Sequence, residues 1–150
     1  YPASFASWVL GPALRVQAAG QPHPNGVNGE AAAILTAADN RLAMLHTTIL
    51  ADTPTRASVI GTEASLVIEG PFYQPGDFNV RSSDGTRTLE YHEPAIGHAA
   101  IHFEAAEAAR CIAAGATESP IRPLADSIAT LGVMDEIRGQ LGIRYPTETT

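Results

Sequence analysis

His98 and His102, in "GHAAIHFEAAE", stand four residues apart, the spacing that on a helix turns two imidazoles to one face as a metal pair requires. A zinc hydrolase of that pattern needs glutamate directly after the first histidine, and Ala99 stands there, so His98 reads as an exposed or capping residue and no metal is expected. Cys111 has no histidine or lysine near it in sequence to favour a thiolate and is expected to be a buried, inert thiol. No G-x-G occurs, so the dinucleotide fingerprint and the P-loop are both missing and no cofactor is expected to bind this chain. In "PFYQP", Pro71 to Pro75, the rings of Phe72 and Tyr73 lie between two apolar runs, where they either line a pocket or cover a core edge.

These residues sit on a chain of 150 residues, 45% hydrophobic, enough for one ordinary domain spanning 1–150. A net charge of −7, with nine arginines, no lysine and no basic run, speaks against nucleic acid or an anionic membrane as partner. A single cysteine excludes an internal disulfide and fits a reducing, cytoplasmic compartment. No apolar run reaches the twenty or so residues that span a bilayer.

Phe5, Trp8 and Val9 at helical spacing, closed by Gly11-Pro12, predict a short helix within 1–11. Residues 13–93 then break into seven short apolar runs: "ALRVQAAG", "EAAAILTAA", "LAMLHTTIL", "RASVIGT", "SLVIEG", "DFNVRSS" and "TRTLEYHE". Asp39-Asn40 and Asp84-Gly85 are tight hairpin signals, so the strands should be antiparallel; "GQPHPNGVNG", residues 20–29, reads as the one long hairpin loop. The region 98–142 predicts two helices, with stripes Ile101, Ala105, Ala108, Ile112 and Leu124, Ile128, Leu131, Met134, Ile137, Leu141, ending at Gly115 and Gly142 with Pro146 beyond. Strands followed by helices give an α+β class: an open-faced, mainly antiparallel sheet with helices on one face. In "LAMLHTTIL" both alternating sets are apolar, Leu42, Met44 and Leu50 against Ala43, Leu45 and Ile49, so the second face should be covered by another copy, a homodimer through the sheet.

The stretch "EAAEAARCIAAGATESPIRPLADSIATLGVMDEIRGQLGIRYP", Glu104 to Pro146, resembles the C-terminal end of the Gfo/Idh/MocA oxidoreductases, especially their dihydrodiol dehydrogenase-like branch. "VIGTEASLVIEGPFYQP", Val59 to Pro75, looks like that family's Gly-Thr-x-Gly turn between strands, with Ala64 in place of the last glycine. The resemblance implies an open-sheet domain that lines the substrate site and pairs with its copy, preceded in the family by a Rossmann domain holding NAD or NADP. It also implies that "YP" before a helix corresponds to the family's Asp-x-Gly-x-Tyr stretch, so that Tyr1 takes the place of the proton donor or acceptor, while Tyr73 and Tyr91 fall near substrate-side aromatics. A phenol titrates near 10 and needs a cation beside it to work at neutral pH; the family draws a lysine from an Glu-Lys-Pro stretch, and this chain has none. The expectation is therefore the C-terminal domain of an NAD(P)-dependent dehydrogenase of a sugar, polyol or dihydrodiol, inactive alone. The alternative is a free-standing interaction module that oligomerises through its sheet; a G-x-G-x-x-G and Glu-Lys-Pro encoded in frame upstream of Tyr1 would decide for the enzyme.

Overall fold

The computed structural model describes residues 1–94 and 100–145; His98, one half of the histidine pair, and Pro146 lie outside them. The chain divides into two compact units, residues 1–52 with 118–150 and residues 53–117. The class is α+β, and all seven expected strands form. They make two antiparallel sheets, not one.

In the first unit, α1 (Pro2–Leu10) precedes β1 (Arg15–Pro22), β2 (Asn28–Thr36) and β3 (Leu42–Thr48), and α3 (Leu124–Gln140) returns to them from the far end of the chain. The strands extend into the loop expected over 20–29 and leave only residues 23–27, closed by His23 N–H donating to the Val27 carbonyl at 2.8 Å. Registers Gln17↔Ile34 and Ile34↔Met44 align one cross-strand row, and Ala18↔Ala33 and Ala33↔Leu45 the row beside it. Alternation sends these rows to opposite faces. The inner face packs on both helices: Ala3 and Ala6 of α1, Leu35 of β2 and Val133 of α3 form the buried core, with Val16, Ala43, Leu45 and Ile137 around it. The other face is open, and Met44 on it is 86% exposed.

Helix α3 carries two apolar stripes. Val133 and Thr130 are the buried ones, whereas Leu124, Ile128, Leu131 and Met134 are exposed. A 3.6-residue period marks apolar faces but cannot tell which of two meets the sheet. Near its end, Gln140 completes the edge strand β1: its Nε2 donates to the Val16 carbonyl at 2.9 Å and its Oε1 accepts the Ala18 N–H at 2.7 Å. These two bonds occupy backbone groups that would otherwise template another strand. Gln140→Ala is expected to cost about 1–2 kcal/mol, two modest hydrogen bonds, and to lower the thermal midpoint by several degrees. A calorimetric midpoint equal to wild type would mean that water replaces the amide without loss.

The second unit holds β4 (Ala57–Ile60), β5 (Ala64–Ile68), β6 (Phe78–Ser82) and β7 (Thr88–Tyr91) in sequential antiparallel order, and α2 (His102–Ala113). The ladder breaks between β3 and β4 where Pro54 offers no N–H and Thr55 takes φ +50°. The turn from Gly61 to Ala64 closes with alanine in place of the last glycine, Gly61 N–H donating to the Ala64 carbonyl at 2.9 Å. Asp84-Gly85 makes the β6–β7 turn, with Gly85 at φ +71°, where a Cβ would be strained. Asp84 accepts from the Ser82 hydroxyl at 2.6 Å and from the Thr86 N–H and hydroxyl, which holds its carboxyl down at about 2. In α2 the expected stripe is exposed, Ile112 at 77%, while Cys111 is buried as expected.

Candidate functional site

Tyr1 belongs to the first unit and Tyr73 and Tyr91 to the second. Tyr1 caps α1: its carbonyl accepts the Phe5 N–H at 2.9 Å, and the residue is 76% exposed. Because Ala3 and Ala6 anchor α1 in the core, the helix fixes where that residue stands.

Tyr73 lies in the loop between β5 and β6. Phe72 packs edge-on against it with centroids 5.6 Å apart, and Phe72 N–H donates to the Thr55 carbonyl at 3.0 Å. Gly70 permits this loop: a Cβ there would stand 2.0 Å from the Pro54 carbonyl oxygen, so no other residue fits without a backbone shift.

Tyr91 closes β7 opposite Phe78, the rings stacked at 4.9 Å and 22°. Its hydroxyl donates to Glu93 Oε2 at 2.8 Å, and that carboxylate holds the phenol above its usual range. A neutral phenol at physiological pH can donate and accept hydrogen bonds but not abstract a proton, so Tyr91 suits a binding contact. Behind it, Asp77 pairs with His92 Nδ1 at 3.0 Å and accepts the Glu93 N–H at 2.9 Å. Sequence reasoning missed Asp77, His92 and Glu93. The Asp84-Gly85 turn could have found the first two, since counting outward from it places Asp77 opposite His92.

Among the described residues every strand pairing is antiparallel, unlike the parallel strand–turn–helix unit that presents a helix N-terminus to a pyrophosphate. No three histidine, cysteine, aspartate or glutamate side chains among them converge on a metal position.

No family model matches the chain. A trans-1,2-dihydrobenzene-1,2-diol dehydrogenase from Xenopus tropicalis is 31% identical over 134 residues, 87% of this chain and 41% of that enzyme. The chain is a homologue of the dihydrodiol dehydrogenases. As such a homologue it also resembles the D-xylose 1-dehydrogenase (NADP(+)) of Hypocrea jecorina, 29% identical over 120 residues, 71% of this chain and 30% of that enzyme. Its fold is that of the Gfo/Idh/MocA oxidoreductases, among them a levoglucosan dehydrogenase solved with NADH and levoglucosan, TM-score 0.76 at 18% identity over 93% of this chain and 45% of that one. The chain thus spans less than half the length of these dihydrodiol dehydrogenases.

Proposed function

We propose that this chain is the substrate-lining and self-pairing domain of an NAD(P)-dependent oxidoreductase acting on a hydroxyl or carbonyl group of a sugar, polyol or dihydrodiol. The similarity to dihydrodiol dehydrogenases over 87% of the chain carries the reading. In it, Tyr1 gives or takes the proton at the oxygen of the carbon that exchanges hydride, and Tyr73 and Tyr91 contact the substrate. NAD or NADP is held outside the described residues, which offer no cradle for it. The compartment is the cytoplasm, in keeping with a lone cysteine; no helix of the described residues is long and apolar enough to cross a membrane. The partner is a second copy, meeting the first through the open face that carries Ile34 and Met44.

On this reading the 150-residue chain alone is catalytically silent and leaves NADH unbound. Titration of the chain into micromolar NADH is expected to leave cofactor fluorescence unchanged, and a saturable response would overturn the placement of the cofactor outside it. The same open face supports a second reading, an interaction module without redox chemistry. Activity on D-xylose or a dihydrodiol in a polypeptide joining this chain to a dinucleotide domain separates the two.

A further inference from the structure

We propose that Asp77 is a positioning residue: from the opposite face of the second unit's sheet, its carboxylate fixes the strand end that presents Tyr91 and Glu93, and holds it most firmly while His92 is protonated. Its functional meaning rests on Tyr91 being a substrate contact, as proposed above; its geometry does not.

Asp77 stands at the neck of the β5–β6 connection that carries Phe72 and Tyr73, where its carbonyl accepts the Glu69 N–H at 3.0 Å. One residue on, Ile68, Phe78 and Tyr91 form a cross-strand row over β5, β6 and β7. There β7 ends and the backbone ladder stops. The Asp77 side chain continues it: Oδ1 accepts the Glu93 N–H at 2.9 Å, and Oδ2 pairs with His92 Nδ1 at 3.0 Å. Alternation puts His92 on the face of Asp77 and sends Tyr91 and Glu93 to the other. On that other face, the Tyr91 ring lies on Phe78 and its hydroxyl meets Glu93. One carboxylate so ties the base of the Tyr73 loop to the chain segment that sets the height and tilt of Tyr91.

The charged groups around His92 favour its imidazolium. Asp77, the residue before β6, faces it and is the largest influence, and Glu90 of β7 adds to it. Just after β5, Glu69 is engaged by Arg56 at 2.8 Å. His92 is accordingly raised above the usual histidine value, chiefly by its hydrogen bond to Asp77; Asp77 is lowered, first by His92 and then by the Glu93 N–H. With the histidine value raised in the folded chain, its contribution is complete below about 6.5 and is lost as pH rises through the raised value. With the carboxyl value lowered, the Asp77 contribution is present above about 4 and is lost as pH falls through the lowered value. The clasp is complete between these limits and loosens first on the alkaline side. Both groups are exposed and screened, so the readout is local geometry, not global stability.

Nuclear magnetic resonance on the chain tests this, following the His92 ring, the Tyr91 ring and the Glu93 amide across pH in wild type, Asp77→Asn and Asp77→Ala. In wild type, Tyr91 and Glu93 signals are expected to move with the His92 midpoint. Asp77→Asn keeps an acceptor for the Glu93 N–H, so Tyr91 should hold its ring-stacked shift, with a lowered His92 midpoint and no response of Tyr91 to it. Asp77→Ala should lose both the ring-stacked shift and the protection of the Glu93 amide. Tyr91 signals indifferent to His92 titration in wild type, or unchanged in Asp77→Ala, would overturn the proposal; if the alanine variant unfolds, Asp77→Asn decides alone. Added D-xylose, the sugar in one relative's name, tests the functional reading separately: without any shift at Tyr91 or Tyr73 that reading fails while the clasp stands.

Discussion

Leu45→Arg is expected to unfold the first unit, whereas Met44→Arg, one residue away, is expected to leave it folded and to abolish self-association. Leu45 lies in the inner row and packs against the core of Ala3, Ala6, Leu35 and Val133. An arginine at this partly buried position loses the leucine contacts and sets a charge against apolar side chains, which costs several kcal/mol. A domain with roughly 5–15 kcal/mol in hand loses much of it. Met44 is 86% exposed, opposite Ile34 in the outer row, so a monomer accepts arginine there without strain. In a two-fold pair every contact occurs twice, and an interface of more than roughly 1,000 Å² would trap both arginines in desolvated surface. Light scattering with circular dichroism should find a native monomer for Met44→Arg and lost ellipticity for Leu45→Arg. A wild-type chain that stays monomeric at high micromolar concentration would end the case for pairing through this face.

That contrast shows how far residue types alone carry the fold. The two-sided apolar pattern of "LAMLHTTIL" announces a strand with both faces in use, but nothing in it distinguishes Met44 from Leu45; the helices that cover one side come from residues 2–10 and 124–140. The hairpins were legible because Asp39-Asn40 and Asp84-Gly85 state their turns locally, and Asn40 and Gly85 both take positive φ. The division into two sheets was not, because β3 and β4 each look competent to pair and their residue types do not say that one ladder ends at Thr48 and another starts at Ala57. Leu124, Ile128 and Leu131 misled for a related reason: they are the more hydrophobic stripe of α3, yet the sheet takes the side of Thr130 and Val133, whose smaller side chains admit the helix closely.

Of the site, the aromatic residues stood out by type, and what holds them did not. Tyr73 and Tyr91 can be singled out because large rings near strand ends are few in a chain that is 6% aromatic. Asp77, among sixteen acidic residues, gains meaning only when the β6–β7 register sets it across from His92. Gln140 is similar: its amide meets Val16 and Ala18 more than 120 residues earlier, and only the folded edge strand shows it a vacancy to fill.

Tyr1→Phe is the substitution with the largest expected effect on catalysis. In a polypeptide of the relatives' length that carries this chain, it should lower kcat by about 10²- to 10⁴-fold, the usual worth of a positioned acid or base, or roughly 2.7–5.5 kcal/mol of barrier. The fold of α1 should persist, because phenylalanine leaves the backbone unchanged and the Tyr1 carbonyl still accepts from Phe5 at 2.9 Å, at a residue that is 76% exposed. Phenylalanine keeps the ring and loses one oxygen. Since proton transfer belongs to the transition state, KM should change little. Tyr91→Phe supplies the control: if the phenol that donates to Glu93 and stays neutral contacts substrate, as proposed, its loss should raise KM by a few-fold, about 1 kcal/mol, with kcat nearly intact. Opposite signatures, kcat for Tyr1 and KM for Tyr91, are what the two roles require. Wild-type turnover in the Tyr1→Phe variant would remove Tyr1 from the proton-transfer step and leave α1 as a purely structural helix on the inner face of the sheet.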